Sequence, residues 1–306
     1  MKKVSVSVPG KVFLMGEHAV VYGKPALLSA VNLRLAVTVS SSEAFQVISN
    51  EPTDHAEYAV RFLLDRLHVE GEPNITIRID SQIPAGFHLG SSAALAAGLS
   101  GALFYFYKQL WNPVKINELA YEIEKKSHGT PSGADNTAVT MGGFIWYRKE
   151  LEFLKSIWQL PFKPHTSLNH FFLLNTGRSK ESTGELVARV RHLYDAKPAF
   201  VQRLLDINET QTKRVAVALK EGNEPELLDA MRLGERTLEG MDVVSRKAIS
   251  LIRKIEKAGG AAKILGGGGK EDGVGFLLCY HHAPKIFKEK LQFITLGEDG
   301  IRLETK

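Results

Sequence analysis

The stretch "IPAGFHLGSSAAL", Ile83 to Leu95, decides how this 306-residue chain is read. Gly86 and Gly90, the adjacent Ser91 and Ser92, and then a run of small apolar residues describe a loop feeding straight into a helix. Glycine lets backbone N–H groups converge without interference from Cβ, and a helix start presents unpaired N–H groups and the positive end of its dipole. Together these make a cradle for phosphate. The serine hydroxyls can cap the helix, bind phosphate or ligate a hard cation such as Mg²⁺. An ordinary serine-capped buried helix fits this stretch equally well, and the bulky Phe87–His88 pair in its middle fits neither reading easily.

Outward from this loop, Leu89 to Tyr107 carries no charge and has the length of a membrane span. Gly90, Ser91, Ser92, Gly98, Ser100 and Gly101 dilute its hydrophobicity, so it reads as a buried helix. Upstream, Val4, Val6 and Val8 alternate with Ser5 and Ser7, the period of a half-buried strand. "VFLMG" is expected to return beside that strand after a break at Pro9–Gly10. Leu33, Leu35, Val37 and Val39 alternate again, as do Ile75, Ile77 and Ile79. Ala59, Phe62, Leu63 and Leu67 have helical spacing, and so do Ile116, Leu119, Ala120 and Ile123. Strands are too often adjacent for a simple alternating parallel fold, and the class expected is α+β. "HGTPSGADNTAVTMGG" reads as a loop. A composition shift near Pro161–Ser167 suggests two domains, 1–165 and 166–306. The second opens on the strand-like "HFFLLNTG", continues in two long charged helices, about 182–220 and 225–258, and ends strand, glycine loop, strand.

Composition is that of an ordinary globular chain, 44% hydrophobic and 24% charged. The net charge of +5 comes without a long basic run, which favours an anionic small ligand over nucleic acid. The one cysteine, Cys279, excludes an internal disulfide, fits a reducing compartment and reads as a buried structural thiol. The N-terminus has lysines but no apolar signal core, so a cytoplasmic protein without membrane association is expected.

Three charged residues suit phosphoryl transfer. Lys11 follows Pro9–Gly10, where a tight turn would fix its ammonium near developing negative charge. Asp135 in "PSGADN" offers a carboxylate to a substrate hydroxyl. Glu124 lies at the margin of an apolar helical stripe, where an acidic group often has a cationic partner; Glu118 and Glu122 point to solvent. A solvated lysine and a capping aspartate are the plain alternatives. No G-x-x-x-x-G-K-[ST] occurs, which disfavours the usual P-loop. "GGGG" at 266–269 is a second candidate anion loop.

Four motifs carry a resemblance. "PGKVFLMGEHAVVYGKPAL", residues 9–27, resembles the N-terminal signature of mevalonate kinases. "PAGFHLGSSAA" resembles the phosphate loop of the galactokinase, homoserine kinase, mevalonate kinase and phosphomevalonate kinase (GHMP) superfamily. "HGTPSGADN", residues 128–136, is similar to the catalytic aspartate loop, and "AKILGGGGKEDGVG", residues 262–275, to the third, glycine-rich motif. The resemblance implies a two-domain α+β fold, with an N-terminal ribosomal protein S5 domain 2-like domain and a C-terminal ferredoxin-like α/β-sandwich, the active site lying in the cleft between them. It implies ATP- and Mg²⁺-dependent phosphorylation of mevalonate to 5-phosphomevalonate in isoprenoid biosynthesis, and it allows a homodimer. Another GHMP kinase, for phosphomevalonate or a sugar, is the near alternative, and a non-catalytic nucleotide or metabolite sensor the distant one.

Carried over by position, Lys11 orients the acceptor hydroxyl and stabilises charge while Asp135 takes its proton. Gly86, Gly90, Ser91 and Ser92 cradle ATP phosphates, and Ser92 and Glu124 hold Mg²⁺. Glu17 and His18 belong to the substrate pocket, with Thr183 near it by a gapped match. Two departures stand out. Family loops usually read Gly-x-Gly-Leu-Gly-Ser-Ser, and here the middle glycine is His88. The third motif has Leu265–Gly266–Gly267 where Thr-Gly-Ala is usual, and Lys270–Glu271–Asp272 follow the glycines.

Overall fold

The computed structural model describes residues 2–50, 56–71, 73–128, 131–151, 153–284 and 290–304. Its internal contacts divide the chain into two units, one of residues 1–11, 30–143 and 298–306, the other of 12–29 and 144–297. The boundary expected near residue 165 lies inside the second unit.

The described elements run β1 (Lys3–Met15), β2 (Ala26–Ser41), β3 (Gln46–Ser49), α1 (Ala56–Arg66), β4 (Ile75–Ser81), α2 (Ser91–Lys108), α3 (Pro113–His128), α4 (Ala134–Met141), β5 (Phe144–Lys149), β6 (Lys155–Leu160) and β7 (Phe171–Asn175). They continue with α5 (Thr183–Ala196), α6 (Pro198–Glu221), α7 (Glu224–Gly240), α8 (Arg246–Lys257), β8 (Ala261–Ile264), β9 (Phe276–Tyr280), β10 (Leu291–Phe293) and β11 (Arg302–Leu303). The class is α+β.

In the first unit the sheet order is β11-β1-β2-β4-β3. β2 pairs antiparallel with β4 through Val37↔Ile79 and Val39↔Ile77, so both alternating apolar rows fall on one buried face. α2 covers them because it is built from small residues. A Cβ on Gly98 would lie 2.8 Å from Val37 Cγ2, and one on Gly101 would lie 2.7 Å from Ile301 Cδ1. Such close approach leaves no room for a methyl group, and overfilling a site of this kind costs about 1–3 kcal/mol. The small residues that weakened the membrane-span reading therefore let the helix lie close against the sheet. No helix among the described residues is long and apolar enough to cross a membrane.

Three local expectations change. β1 runs unbroken through Pro9 and Gly10, because the Lys11 amide finds its partner in the loop, donating to Leu89 O at 2.9 Å. Residues 134–141, read as loop, form helix α4, started by Gly133 at φ 84°. The two long charged helices are four: Pro198 opens a new helix at its first position, where its missing N–H costs nothing, and Asp242 at φ 62° with Ser245 as N-cap separates α7 from α8.

In the second unit β5 pairs with residues 26–29 of β2 and with β6, and a four-stranded antiparallel sheet runs β10-β7-β9-β8. Phe172, Leu174, Leu277 and Cys279 from that sheet share one core with Leu186, Val190, Ile252 and Ile255 from its helices. Cys279 is buried, and burial pushes its thiol pKa up, as expected of a structural thiol.

Candidate active site

A cavity of about 460 Å³ in the first unit is walled by the loop 84–93, by Lys11 from β1, by Glu124 from α3 and by Pro131–Gly133, Asp135 and Asn136 at the start of α4. Two helices begin on it. α2 starts after Gly90 (φ 79°) and α4 after Gly133 (φ 84°); neither N-cap glycine has a side chain to cap the first turn, and in α4 the Ala134 amide donates to Ser132 Oγ at 3.1 Å. Left-handed N-cap conformations favour glycine, and uncapped N–H groups at a helix start suit an anion.

Lys11 is held in a strand instead of a turn, and its side chain is 3% exposed. A buried ammonium keeps its charge only beside a partner. That partner is Asp135, whose Oδ2 lies 3.0 Å from Nζ while its side chain stays 41% exposed. The pair thus has one face locked in protein and the other on the cavity. Gly90 makes this possible: a Cβ there would stand 2.8 Å from Lys11 Cγ. Asp135 is in turn fixed through its neighbour, since Asn136 Nδ2 donates to Asn117 Oδ1 at 2.7 Å and pins α4 to α3.

Across the same cavity Ser92 Oγ donates to Glu124 Oε1 at 2.5 Å. One carboxylate and one hydroxyl at a helix start are hard oxygen donors of the kind Mg²⁺ uses when phosphates and waters complete its shell. No group of three or more His, Cys, Asp or Glu among the described residues offers an all-protein metal cage.

Of the residues singled out from sequence, Lys11, Gly86, Gly90, Ser91, Ser92, Glu124 and Asp135 meet at this cavity. Glu17, His18 and Thr183 belong to the second unit. There Glu17 forms an ion pair with Lys263, both fully enclosed, and Lys263 Nζ also donates to Ile264 O at 2.6 Å. His18 Nε2 lies 2.9 Å from Gly267 O. Burial lowers the imidazole pKa against the opposing effect of that hydrogen bond. A neutral ring facing a carbonyl must carry its proton on Nε2. Thr183 opens α5 under the capping box of Ser182 and Glu185, and Gly267 packs on it, a Cβ there standing 3.4 Å from Thr183 Cα.

Packing accounts for much of the glycine cluster. A Cβ on Gly268 would stand 2.2 Å from Val243 O, and one on Gly269 would stand 2.4 Å from Gly273 O. The unusual Lys270–Glu271–Asp272 is tied down residue by residue. Glu181 Oε1 accepts from the amides of Lys270 and Glu271, each at 3.1 Å; Lys270 Nζ pairs with Asp242; Asp272 pairs with Lys247 at 3.0 Å. Burial pushes the Glu181 carboxyl up, yet the hydrogen bonds it accepts together hold its pKa below the ordinary value.

Sequence reasoning missed Lys263 and Glu235. Glu235 is completely buried and accepts from the Ile264 amide at 3.0 Å. Burial pushes its pKa up to about 8, against the pull of that bond and of Lys263. The lysine in "AAKIL" was the available signal, but a strand lysine ordinarily points to water.

The phosphate-type loop, Glu124 and Asp135 all fall within the segment matched by one family model. The family model described as "GHMP kinases N terminal domain" matches residues 54–143. A mevalonate kinase of Archaeoglobus fulgidus is 31% identical, with 97% of this chain and 99% of that protein covered. A mevalonate kinase of Methanothermobacter thermautotrophicus is 32% identical over 87% of this chain and 88% of its own length. In fold, the crystal structure of L. major mevalonate kinase in complex with R-mevalonate superposes with a TM-score of 0.82 at 23% identity, covering 96% of each chain. The chain belongs to the mevalonate kinase family.

Proposed function

We infer that this protein transfers the γ-phosphoryl group of ATP to the primary alcohol of mevalonate, giving 5-phosphomevalonate and ADP. The observation that carries the reading is the Lys11–Asp135 pair at 3.0 Å on a cavity that the starts of α2 and α4 also face. The family relatives supply the acceptor.

In this reading the phosphates lie on the N–H groups of the loop and of the α2 start, with Gly86, Gly90, Ser91 and Ser92 in contact. Ser92 and Glu124 hold Mg²⁺, which when bound neutralises charge on the phosphate oxygens. The acceptor hydroxyl sits on the open side of the Lys11–Asp135 pair, within hydrogen-bond reach of both groups. Its oxygen forms a bond to the γ-phosphorus as the bond from that phosphorus to the bridging oxygen of ADP breaks, and the proton passes to the Asp135 carboxylate. The Lys11 ammonium favours the developing alkoxide. Positioning and charge stabilisation supply most of phosphoryl-transfer catalysis, so no covalent enzyme intermediate is required. The motif match assigns Glu17, His18 and Thr183 to the acceptor side, and the reading takes the enzyme as cytoplasmic, in keeping with its single, buried cysteine.

The test is a product screen: purified protein with ATP and Mg²⁺ against mevalonate, phosphomevalonate, homoserine and galactose. Mevalonate is expected to give the fastest ADP release. Faster turnover of another acceptor moves the assignment to that sister activity, and nucleotide binding without turnover on any of them moves it to a sensor.

A further inference from the structure

The Lys11–Asp135 pair is only as well placed as the turn that carries Asp135. Helix α4 is eight residues long, and its N-cap, Gly133 at φ 84°, has no side chain. So short a helix has little stability of its own. The Asp135 side chain is 41% exposed, so little packs around it to fix it. Its placement has to come from the neighbours of that first turn.

Those neighbours form one chain of hydrogen bonds. Asn136, 2% exposed, donates from Nδ2 to Asn117 Oδ1 at 2.7 Å. Asn117 Nδ2 donates to Thr137 Oγ1 at 3.1 Å, and that hydroxyl donates to Gly133 O at 2.7 Å. The end of the chain fixes its direction. A backbone carbonyl only accepts, so the Thr137 hydroxyl gives its proton to Gly133 and accepts from the Asn117 amide, which leaves the Asn117 carbonyl for Asn136. One side chain of α3 thus holds the residues on both sides of Asp135: Asn136 directly, and Gly133 through Thr137. Apolar packing tolerates sliding and rotation, whereas a fully satisfied polar chain specifies one arrangement.

Glu124, which accepts from Ser92, lies about two turns further along the same face of α3. Damage that merely loosens α3 would reach both groups. Loss of the Asn117 bonds alone reaches Asp135.

We propose that Asn117 is a positioning residue for the transfer: through Asn136 and Thr137 it sets where the Asp135 carboxylate stands against Lys11 and the acceptor hydroxyl, while nucleotide and metal are held without it. This deepens the phosphoryl-transfer reading of the site and rests on it.

The experiment is steady-state kinetics with ATP, Mg²⁺ and mevalonate on the whole protein and on Asn117→Leu, Thr137→Val and Thr137→Ser, with Asn117→Leu repeated in an Asp135→Asn background. A misplacement of about 1 Å costs on the order of 10²-fold in rate, so Asn117→Leu should lower kcat by about 10–10²-fold. The ATP KM and the Mg²⁺ requirement should stay within about twofold of wild type, because only transition-state contacts are lost. Thr137→Val keeps the shape, loses the hydroxyl and should lower kcat by about tenfold; Thr137→Ser should recover most of that loss. In the Asp135→Asn background Asn117→Leu should cost less than about twofold more, since residues acting as a unit are not additive. Should thermal melts show Asn117→Leu unfolded, the Thr137 pair decides in its place. An equal loss with and without the Asp135 carboxylate, a loss accompanied by a raised ATP KM or Mg²⁺ requirement, or full rate in the variants overturns the proposal. A wild-type protein that phosphorylates another alcohol faster sinks the mevalonate assignment alone, and the same variants on that alcohol decide for Asn117. No transfer to any acceptor overturns both.

Discussion

Two clusters of ionisable side chains, one in each unit, are put to opposite uses. At the first-unit cavity, Lys11 and Asp135 make a pair with one side open, Ser92 and Glu124 face the same space, and α2 starts on it after a glycine that offers no side-chain cap. In the second unit, Glu17, Lys263 and Glu235 are wholly buried, and their partners are one another and backbone groups of Phe13 and Ile264. A charge that faces open space can act on a ligand; a charge sealed among partners fixes the backbone that carries it. Motif residues alone do not separate these cases. Burial does.

Variants that break the comparison should have effects in a definite order. Asp135→Asn keeps the shape of the open pair and removes its base; kcat should fall by about 10²–10⁴-fold in steady-state assays with mevalonate. Retained turnover would show that the open pair is structural like its buried counterpart. Gly90→Ala forces a Cβ to within 2.8 Å of Lys11 Cγ, in a conformation at φ 79° that suits glycine. The ammonium must shift, and a displacement of about 1 Å in a positioned group costs on the order of 10²-fold in rate.

Smaller effects follow at the remaining sites. Ser92→Ala and Glu124→Gln should each raise the Mg²⁺ concentration needed for half-maximal rate by about tenfold, measured at saturating nucleotide. An unchanged metal dependence would remove them from the cation's shell. The smallest effect on rate, and the sharpest on the buried cluster, belongs to Glu235→Gln. The folded-state pKa of about 8 lies above that of an unfolded glutamate, so the native protein holds the extra proton. That contribution to stability is fully present below the unfolded value and is lost as pH rises towards about 8. Urea denaturation from about pH 5 to 8 should show this decline in wild type and a flatter profile in Glu235→Gln. Matching slopes would mean that Glu235 is ionised in the folded protein.

The sequence carried the open cluster further than the sealed one. Glycines, paired serines and an aspartate beside a turn signal are local features, and the structure gathers Lys11, Gly86, Gly90, Ser91, Ser92, Glu124 and Asp135 on one cavity. The details depended on partners distant in sequence. Pro9–Gly10 reads as a break, yet β1 continues because Leu89 O stands where a strand partner would. "GADNTAVT" is dense in turn residues, yet Gly133 starts a helix with them and Asn117 holds it. The hairpin of β5 and β6 escaped notice because the β6 sequence KSIWQL lacks clean alternation and has no buried residue. The break at Pro198 was visible in the sequence and passed over, whereas the sealing of Lys263 exists only once the chain has folded.

The central claim is that the Lys11–Asp135 pair activates an alcohol for attack on a nucleotide's terminal phosphorus, and that the alcohol is mevalonate. Its most direct test is phosphorus NMR of the wild-type and Asp135→Asn proteins with ATP, Mg²⁺ and mevalonate. A new phosphomonoester resonance that grows with ADP, requires mevalonate and all but vanishes in the variant is the expected result. A resonance of equal size in both proteins, or none in either while the nucleotide is demonstrably bound, would contradict it.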